Sequence, residues 1–191
     1  MVVKYIEDLD KKLLNDLLAI DSRAYPKHLQ ETFAEVNSKF LVNRDMYVLL
    51  YDDDKLVGYL CLFPIREELY EKIVNNNRPL ELSIPGNFLD QYVPFKTYRL
   101  YILSAVIDPE YQMKGLSKYL IEGFYRYVLN KKNNNIFFSA ALATAVTTAG
   151  ETMLKKMHFK KQRSAINGHT LYELSIDENY YKAIEGFLYS K

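Results

Sequence analysis

Leu13, Leu14, Leu17, Leu18 and Ile20 recur at the spacing of one helix face, and Pro26 closes that stretch. A second helical pattern runs from Lys27 to Phe40, with Phe33, Val36 and Phe40 on one side. Met46 to Tyr51 and Lys55 to Phe63 are strand-like runs separated by Asp52-Asp53-Asp54, turn chemistry that predicts an antiparallel hairpin. Glu67 to Val74 has a helical period, and Asn75-Asn76-Asn77-Arg78-Pro79 breaks it. Leu80 to Phe95 carries Pro85-Gly86 and Pro94, shows no clear period, and is long for a plain connection.

The second half is more regular. Tyr98 to Ile107 is aromatic and aliphatic almost throughout, as in a strand covered on both faces, and Asp108-Pro109 ends it. Leu116, Tyr119, Leu120, Phe124, Tyr127 and Val128 mark a helix that stops by Asn133-Asn134-Asn135. Ile136 to Val146 begins as a strand, and Glu151 to Met157 reads as a short helix. Phe159 to Ile166 and His169 to Ile176 flank Asn167-Gly168, the signal of a two-residue type I′ hairpin turn. Tyr180 to Leu188 predicts a terminal helix, and no internal repeat or low-complexity linker interrupts the chain.

At 191 residues, 49% apolar and 26% charged, the chain is large enough for one domain with a real core. The expected organisation is a single domain over 1–191, with an insert at 64–96 and a C-terminal extension at 177–191. A net charge of +1 gives no long-range attraction to polyanions, and the Lys131-Lys132 and Lys160-Lys161 pairs read as ordinary surface. Neither nucleic acid nor a membrane is therefore an expected partner. Cys61 stands alone, so it forms no internal disulfide and is expected to pack in a strand. His28, His158 and His169 have no ligand-spaced partner, and no metal is expected. The Met1 start lacks a basic segment followed by an apolar run, and no apolar stretch reaches the roughly 18 residues of a membrane span. A cytoplasmic protein is the resulting expectation.

The chemistry concentrates between Ser104 and Ser117, where the strongest strand runs through a tight turn and a loop into an amphipathic helix. Such a junction leaves backbone N–H groups converging on one spot at the positive end of a helix dipole, which suits a diphosphate. Gly115 permits close approach of the backbone, the Gln112 amide can donate, Lys114 adds charge at the rim, and Ser117 is small and can itself donate.

Gln112-x-x-Gly115-x-Ser117 resembles the Gln/Arg-x-x-Gly-x-Gly/Ala loop of the GNAT superfamily of acyl-CoA N-acyltransferases, with Ser117 a mild departure. The preceding Val106-x-Asp108-Pro109-Glu110-Tyr111 strengthens the likeness. So does Leu154-Lys155-Lys156-Met157-His158-Phe159, which is similar to the family's later Tyr-x-x-Leu-Gly-Phe block. The resemblance extends from about Leu13 to Ile176. It implies an α/β (α+β) fold: a central mixed, mostly antiparallel sheet flanked by helices and splayed at the cofactor strand.

The resemblance also implies acetyl-CoA as the acyl donor and no metal. The pantetheine arm would lie along Ser104, Ala105 and Val106, with the Val106 N–H polarising the thioester carbonyl. The diphosphate would rest on Gln112, Met113, Lys114, Gly115, Leu116 and Ser117. A primary amine, on a small molecule or a peptide, would attack the thioester directly. It would enter between the N-terminal helices (about Ser22 to Phe40) and the 64–96 insert. The insert's Tyr70, Phe88, Tyr92 and Phe95 would serve either as an apolar wall or as contacts in a homodimer.

Several family positions are altered. Leu154 stands where a tyrosine often protonates the leaving thiolate, Thr147 where an asparagine is usual, His158 where a glycine is usual, and Leu100 where many members place a basic glutamate. No acidic residue lies between Asp90 and Asp108, so the catalytic residues are unassigned. Strand alternation puts Tyr98 and Ser104 on one face and Tyr101 on the other, both tyrosines being read as packing. Glu67, Glu68 and Glu71 read as a solvated helix face. Two functions stand: an N-acetyltransferase, or a non-catalytic module that binds acyl-CoA or a protein partner as a sensor or regulator.

Overall fold

The computed structural model describes residues 1–6, 8–75, 84–164 and 168–190. Asn76 to Pro79 of the predicted breaker and Asn167 of the hairpin signal lie outside the described residues. Seven strands are described: β1 (Val2–Tyr5), β2 (Tyr47–Asp52), β3 (Lys55–Ile65), β4 (Lys96–Ile107), β5 (Ile136–Ala145), β6 (Lys160–Ser164) and β7 (Thr170–Ser175). The helices are α1 (Lys11–Ala24), α2 (Phe33–Val42), α3 (Glu67–Asn75), α4 (Ser117–Asn133), α5 (Thr148–Lys156) and α6 (Glu178–Tyr189). The strands form one mixed sheet in the order β1-β2-β3-β4-β5-β7-β6. Every neighbouring pair is antiparallel except β4–β5.

Most predicted elements are present. The single helix expected over Lys27 to Phe40 is instead a 3-10 turn, Lys27–Leu29, followed by α2. Thr32 and Glu35 explain the break: each side chain caps the other's backbone N–H, at 3.3 and 2.7 Å, and a capping residue must leave the helical conformation. The edge strand β1 was not expected. It is only four residues long and largely exposed, so it shows no alternation to read. Pro64 is tolerated in β3 because alternation from the Leu62 N–H, which donates to Met46, turns its missing donor toward β2, past that strand's last partner Tyr47↔Cys61.

Two apolar layers hold the sheet. On one face α4, α5 and α6 pack over Val48, Leu60, Leu100 and Tyr172, with Phe124 and Val128 fully enclosed. On the other, α1, α2 and α3 cover Leu49, Cys61, Phe63 and Tyr101 with Leu17, Ile20 and Phe40. Both strands beside the future site are thus clamped from two sides, which fixes their main-chain positions.

The turn after α5 carries strain. Phe159 N–H donates to Leu154 and His158 N–H to Lys155, both at 3.0 Å, a Schellman closure with His158 at the left-handed position, φ +67°. This is the site where the resembling block has glycine. His158→Gly is therefore expected to stabilise the protein by about 0.5–1 kcal/mol, the left-handed penalty less glycine's larger unfolded-state entropy. Urea denaturation reads the gain as a raised midpoint at unchanged slope.

Candidate functional site

The sheet opens where β4 and β5 part. Their parallel pairing ends at Ile102↔Ala143, after which β5 continues with β7 while β4 runs on to Ile107 beside β3 alone. At the same point Leu103 is an extra residue on β4: Ile102 pairs with Leu62 and Ser104 with Cys61, leaving Leu103 unpaired. The bulge reverses the strand's alternation. Tyr98 sits in the α4-side core, whereas Ser104, opposite Cys61, shares the α1 face with Tyr101. The expected pairing of Tyr98 with Ser104 on one face is thus overturned by one inserted residue.

Hydrogen-bond direction changes with it. Asp108 N–H donates to Val57 at 2.9 Å, so antiparallel alternation also turns the Val106 N–H toward β3, opposite Tyr59. The amides of Ala105 and Ile107 face the gap instead. Their carbonyls point the same way: Ala105 accepts a long hydrogen bond from the Tyr25 hydroxyl (3.5 Å), and Ile107 accepts from the Gln112 side-chain amide (3.0 Å). The main-chain donor expected at Val106 is therefore engaged within the sheet, and Gln112 ties the loop back to β4 rather than facing outward.

Beyond β4 the chain makes a 3-10 turn, Pro109–Tyr111, pinned by Asp108, which is fully buried. The Asp108 carboxylate accepts from Arg23 at 2.5 Å and from the Glu110 N–H at 3.1 Å. Burial pushes this carboxyl up, but the Arg23 and Glu110 hydrogen bonds, with the Arg23 and Lys55 charges, outweigh it and hold the group below the ordinary carboxylate range. Met113 (φ +61°) and Gly115 (φ +70°) then take left-handed conformations that fold the loop onto the start of α4. Leu116 caps α4 without a side-chain hydrogen bond. Among the described residues, none accepts from the amides of residues 113–117. Lys114 and Lys55 sit over the Tyr111 ring, at 4.6 and 5.0 Å. A Cβ built on Gly115 would meet nothing within 4 Å, so the ledge is open.

The chain matches known proteins in sequence pattern and in fold. The model of the acetyltransferase (GNAT) family matches residues 14–159. The chain belongs to the GNAT family. No curated protein sequence matches the chain. Among solved structures, the ribosomal-protein-S18-alanine N-acetyltransferase from Escherichia coli is similar at 15% identity, covering 93% of this chain and 98% of that one, with TM-score 0.57. Arabidopsis thaliana Naa50, in complex with a bisubstrate analogue, aligns at 13% identity over 92% and 100%, with TM-score 0.59. GphF, a GNAT-like decarboxylase in complex with isobutyryl-CoA, aligns at 11% identity over 92% and 99%, with TM-score 0.65. At these identities the likeness shows the GNAT fold.

In this GNAT chain the gap between β4 and β5 holds a cavity of about 90 Å³. Leu103, Ser104 and Ala105 line one side, and Thr144, Ala145 and Val146 the other. Leu154 closes the α5 wall, 7% exposed and without a transferable proton. Leu100, where the resemblance implied a glutamate, is wholly buried in the α4-side core. Thr147 caps α5 by accepting from the Gly150 N–H at 3.1 Å. Tyr98 holds the 91–93 segment through its hydroxyl, and Tyr101 stacks on Phe63 and bonds Thr144 at 3.2 Å.

The insert's side chains do not gather into one wall. Tyr92 is bonded to Tyr127 at 2.6 Å in the α4 layer, Tyr70 bonds Glu173 beneath the Arg99 guanidinium, Phe88 packs on the α1 side, and Phe95 is 80% exposed. Glu67 pairs with Arg99 at 3.2 Å. Among the described residues no helix is long and apolar enough to cross a membrane.

The cavity-lining carboxylate that sequence reasoning missed is Asp21. It lines the cavity from α1, only 8% exposed, and accepts a hydrogen bond from Tyr59. Burial raises its carboxyl to about 6, the Tyr59 hydrogen bond lowers it in part, and the neighbouring Glu31 charge raises it further. Glu31, from the segment between the 3-10 turn and α2, also lines the cavity and is paired with the buried Lys39. Because Asp21's folded value lies above its unfolded one, its favourable contribution is full only below about 3.8 and is lost as pH rises through about 6. Asp21→Asn is thus expected to raise stability by about 3 kcal/mol at pH 8 and by nothing at pH 3.5, read by thermal unfolding at the two pH values.

Proposed function

We propose that this GNAT protein transfers an acetyl group from acetyl-CoA to a primary amine, on a small molecule or a peptide, by direct attack in a ternary complex. The observation that carries this is the set of amides at 113–117. Among the described residues they have no acceptor; they lie at the N-terminus of a 17-residue helix and follow on the β4 edge that β5 has left bare. The residues fit an acyl-CoA. N–H donors without an acceptor among the described residues and the helix dipole suit the diphosphate, the open ledge at Gly115 leaves room for it, and Lys114 and Lys118 supply charge. The outward-facing Ala105 and Ile107 groups offer a pantetheine arm a strand-like partner, and the Ala105 N–H replaces Val106 as the donor for the thioester carbonyl. When bound, the acyl-CoA supplies the activated carbonyl; the chain's task is to orient it and exclude water.

A non-catalytic acyl-CoA binder is the second reading, favoured by the apolar, buried Leu154 and Leu100 at the positions where the resemblance implies proton-transfer groups. Acetyl-CoA calorimetry combined with free-thiol release over a panel of primary amines separates the two. Binding with amine-dependent thiol release is the expected result, binding with none across the panel supports the second reading, and absence of binding by the folded protein contradicts both.

A further inference from the structure

We propose that Asp21 is the carboxylate that receives the acceptor ammonium and takes its proton, a role supplied here from α1 rather than from β4. The inference rests on the transferase reading above. Its basis is geometric. Asp21 is enclosed by the protein yet lines the cavity at the point where β4 bulges. One oxygen, Oδ1, is held by the Tyr59 hydroxyl, and Oδ2 has no hydrogen-bond partner among the described residues. Tyr25, the extended residue that caps the C-terminus of α1 and whose N–H donates to the Asp21 carbonyl, donates through its hydroxyl to the Ala105 carbonyl, so the end of α1 that carries Asp21 abuts the edge where the thioester would lie. A half-held carboxylate in a largely apolar pocket, flanked by Leu29 and Leu103, fits a primary ammonium on an apolar stem.

The step balances without an added reagent. The ammonium gives one proton to Asp21 Oδ2 and the freed nitrogen lone pair forms the C–N bond to the thioester carbon. As the C–S bond breaks, its electron pair leaves on sulfur, and the thiolate takes the proton that nitrogen sheds in becoming an amide. Asp21 returns its own proton to solvent. The groups facing Asp21 are Tyr59, Tyr47 and Cys61 from the sheet, Tyr25 at the C-cap of its helix, and Glu31 with its partner Lys39. The tyrosine and cysteine protons of this set are held on by burial, and Glu31 acts as a second carboxylate whose charge is met by Lys39.

The test compares wild type, Asp21→Asn, Asp21→Glu and Tyr59→Phe in thiol-release kinetics on the amine panel, with acetyl-CoA calorimetry on each. Asp21→Asn is expected to lose about 100-fold or more in kcat at unchanged acetyl-CoA Kd, with partial recovery in Asp21→Glu. Wild-type kcat/KM is expected to rise through an acid limb near the Asp21 value of about 6, absent in Asp21→Asn. Removing the Tyr59 hydrogen bond takes away a lowering influence, so Tyr59→Phe is expected to move that limb to higher pH. Wild-type rate and acid limb in Asp21→Asn would overturn the role of Asp21 while leaving the transferase intact. Acetyl-CoA binding without thiol release from any form, or no binding at all, would overturn both.

Discussion

Gly115→Glu is expected to weaken acetyl-CoA binding by about 100-fold or more while the protein stays folded. Two effects add. A carboxylate placed about 6 Å from a diphosphate costs about 3 kcal/mol at an effective dielectric of 20, and that alone corresponds to about two powers of ten in Kd. The φ of +70° is also unfavourable for any residue with a Cβ, which distorts the loop. Folding is spared because a Cβ at this position meets nothing within 4 Å. Gly115→Ala separates the two effects: it carries the backbone strain without the charge and is expected to change Kd by less than about tenfold. Calorimetry on the three proteins gives the comparison.

Asp108→Ala is expected to cost about 2–3 kcal/mol of stability, a fall in Tm of about 5–10 °C for a chain of this size. The side chain is wholly buried and satisfies both the Arg23 guanidinium and the Glu110 N–H. Alanine orphans the amide outright, whereas Arg23, 45% exposed, recovers part of its solvation, so the loss stays below that of a fully buried pair. The sign with pH follows from the depressed carboxyl. Asp108's contribution is complete above the ordinary carboxylate value and is lost as pH falls through its lower folded value, so the two proteins' stabilities should converge in strong acid. The same variant is expected to weaken acetyl-CoA binding several-fold, because Asp108 sets the exit angle of the loop that carries the open amides.

The sequence carried most of the architecture because the elements around the site have local signals: the helical stripe from Leu13, the doubly apolar run of β4, and the loop with Gly115 at a left-handed position; the short, exposed β1 has none. It did not carry the bulge. Leu103 looks like any strand residue, and only its lack of a partner across β3 shows that the alternation reverses between Tyr101 and Ser104. That one residue moved both the face assigned to Ser104 and the amide assigned to the thioester. Asp21 was hidden for a different reason: it meets the β4 edge only through tertiary packing, more than eighty residues away in sequence. A signal for it was nonetheless present. Leu14, Leu17 and Asp21 are spaced as one helix stripe, and a carboxylate on an apolar stripe is buried against its solvation preference. Thr32 and Glu35 were equally legible as a capping box and would have split the second helix correctly.

Amide NMR of the labelled protein titrated with CoA addresses the loop most directly. The largest shifts are expected at the backbone N–H groups of residues 113–117, followed by Ala105 and Ile107, with Val106 little moved. Saturating CoA that leaves 113–117 in place, or that moves a separate surface instead, would contradict the account.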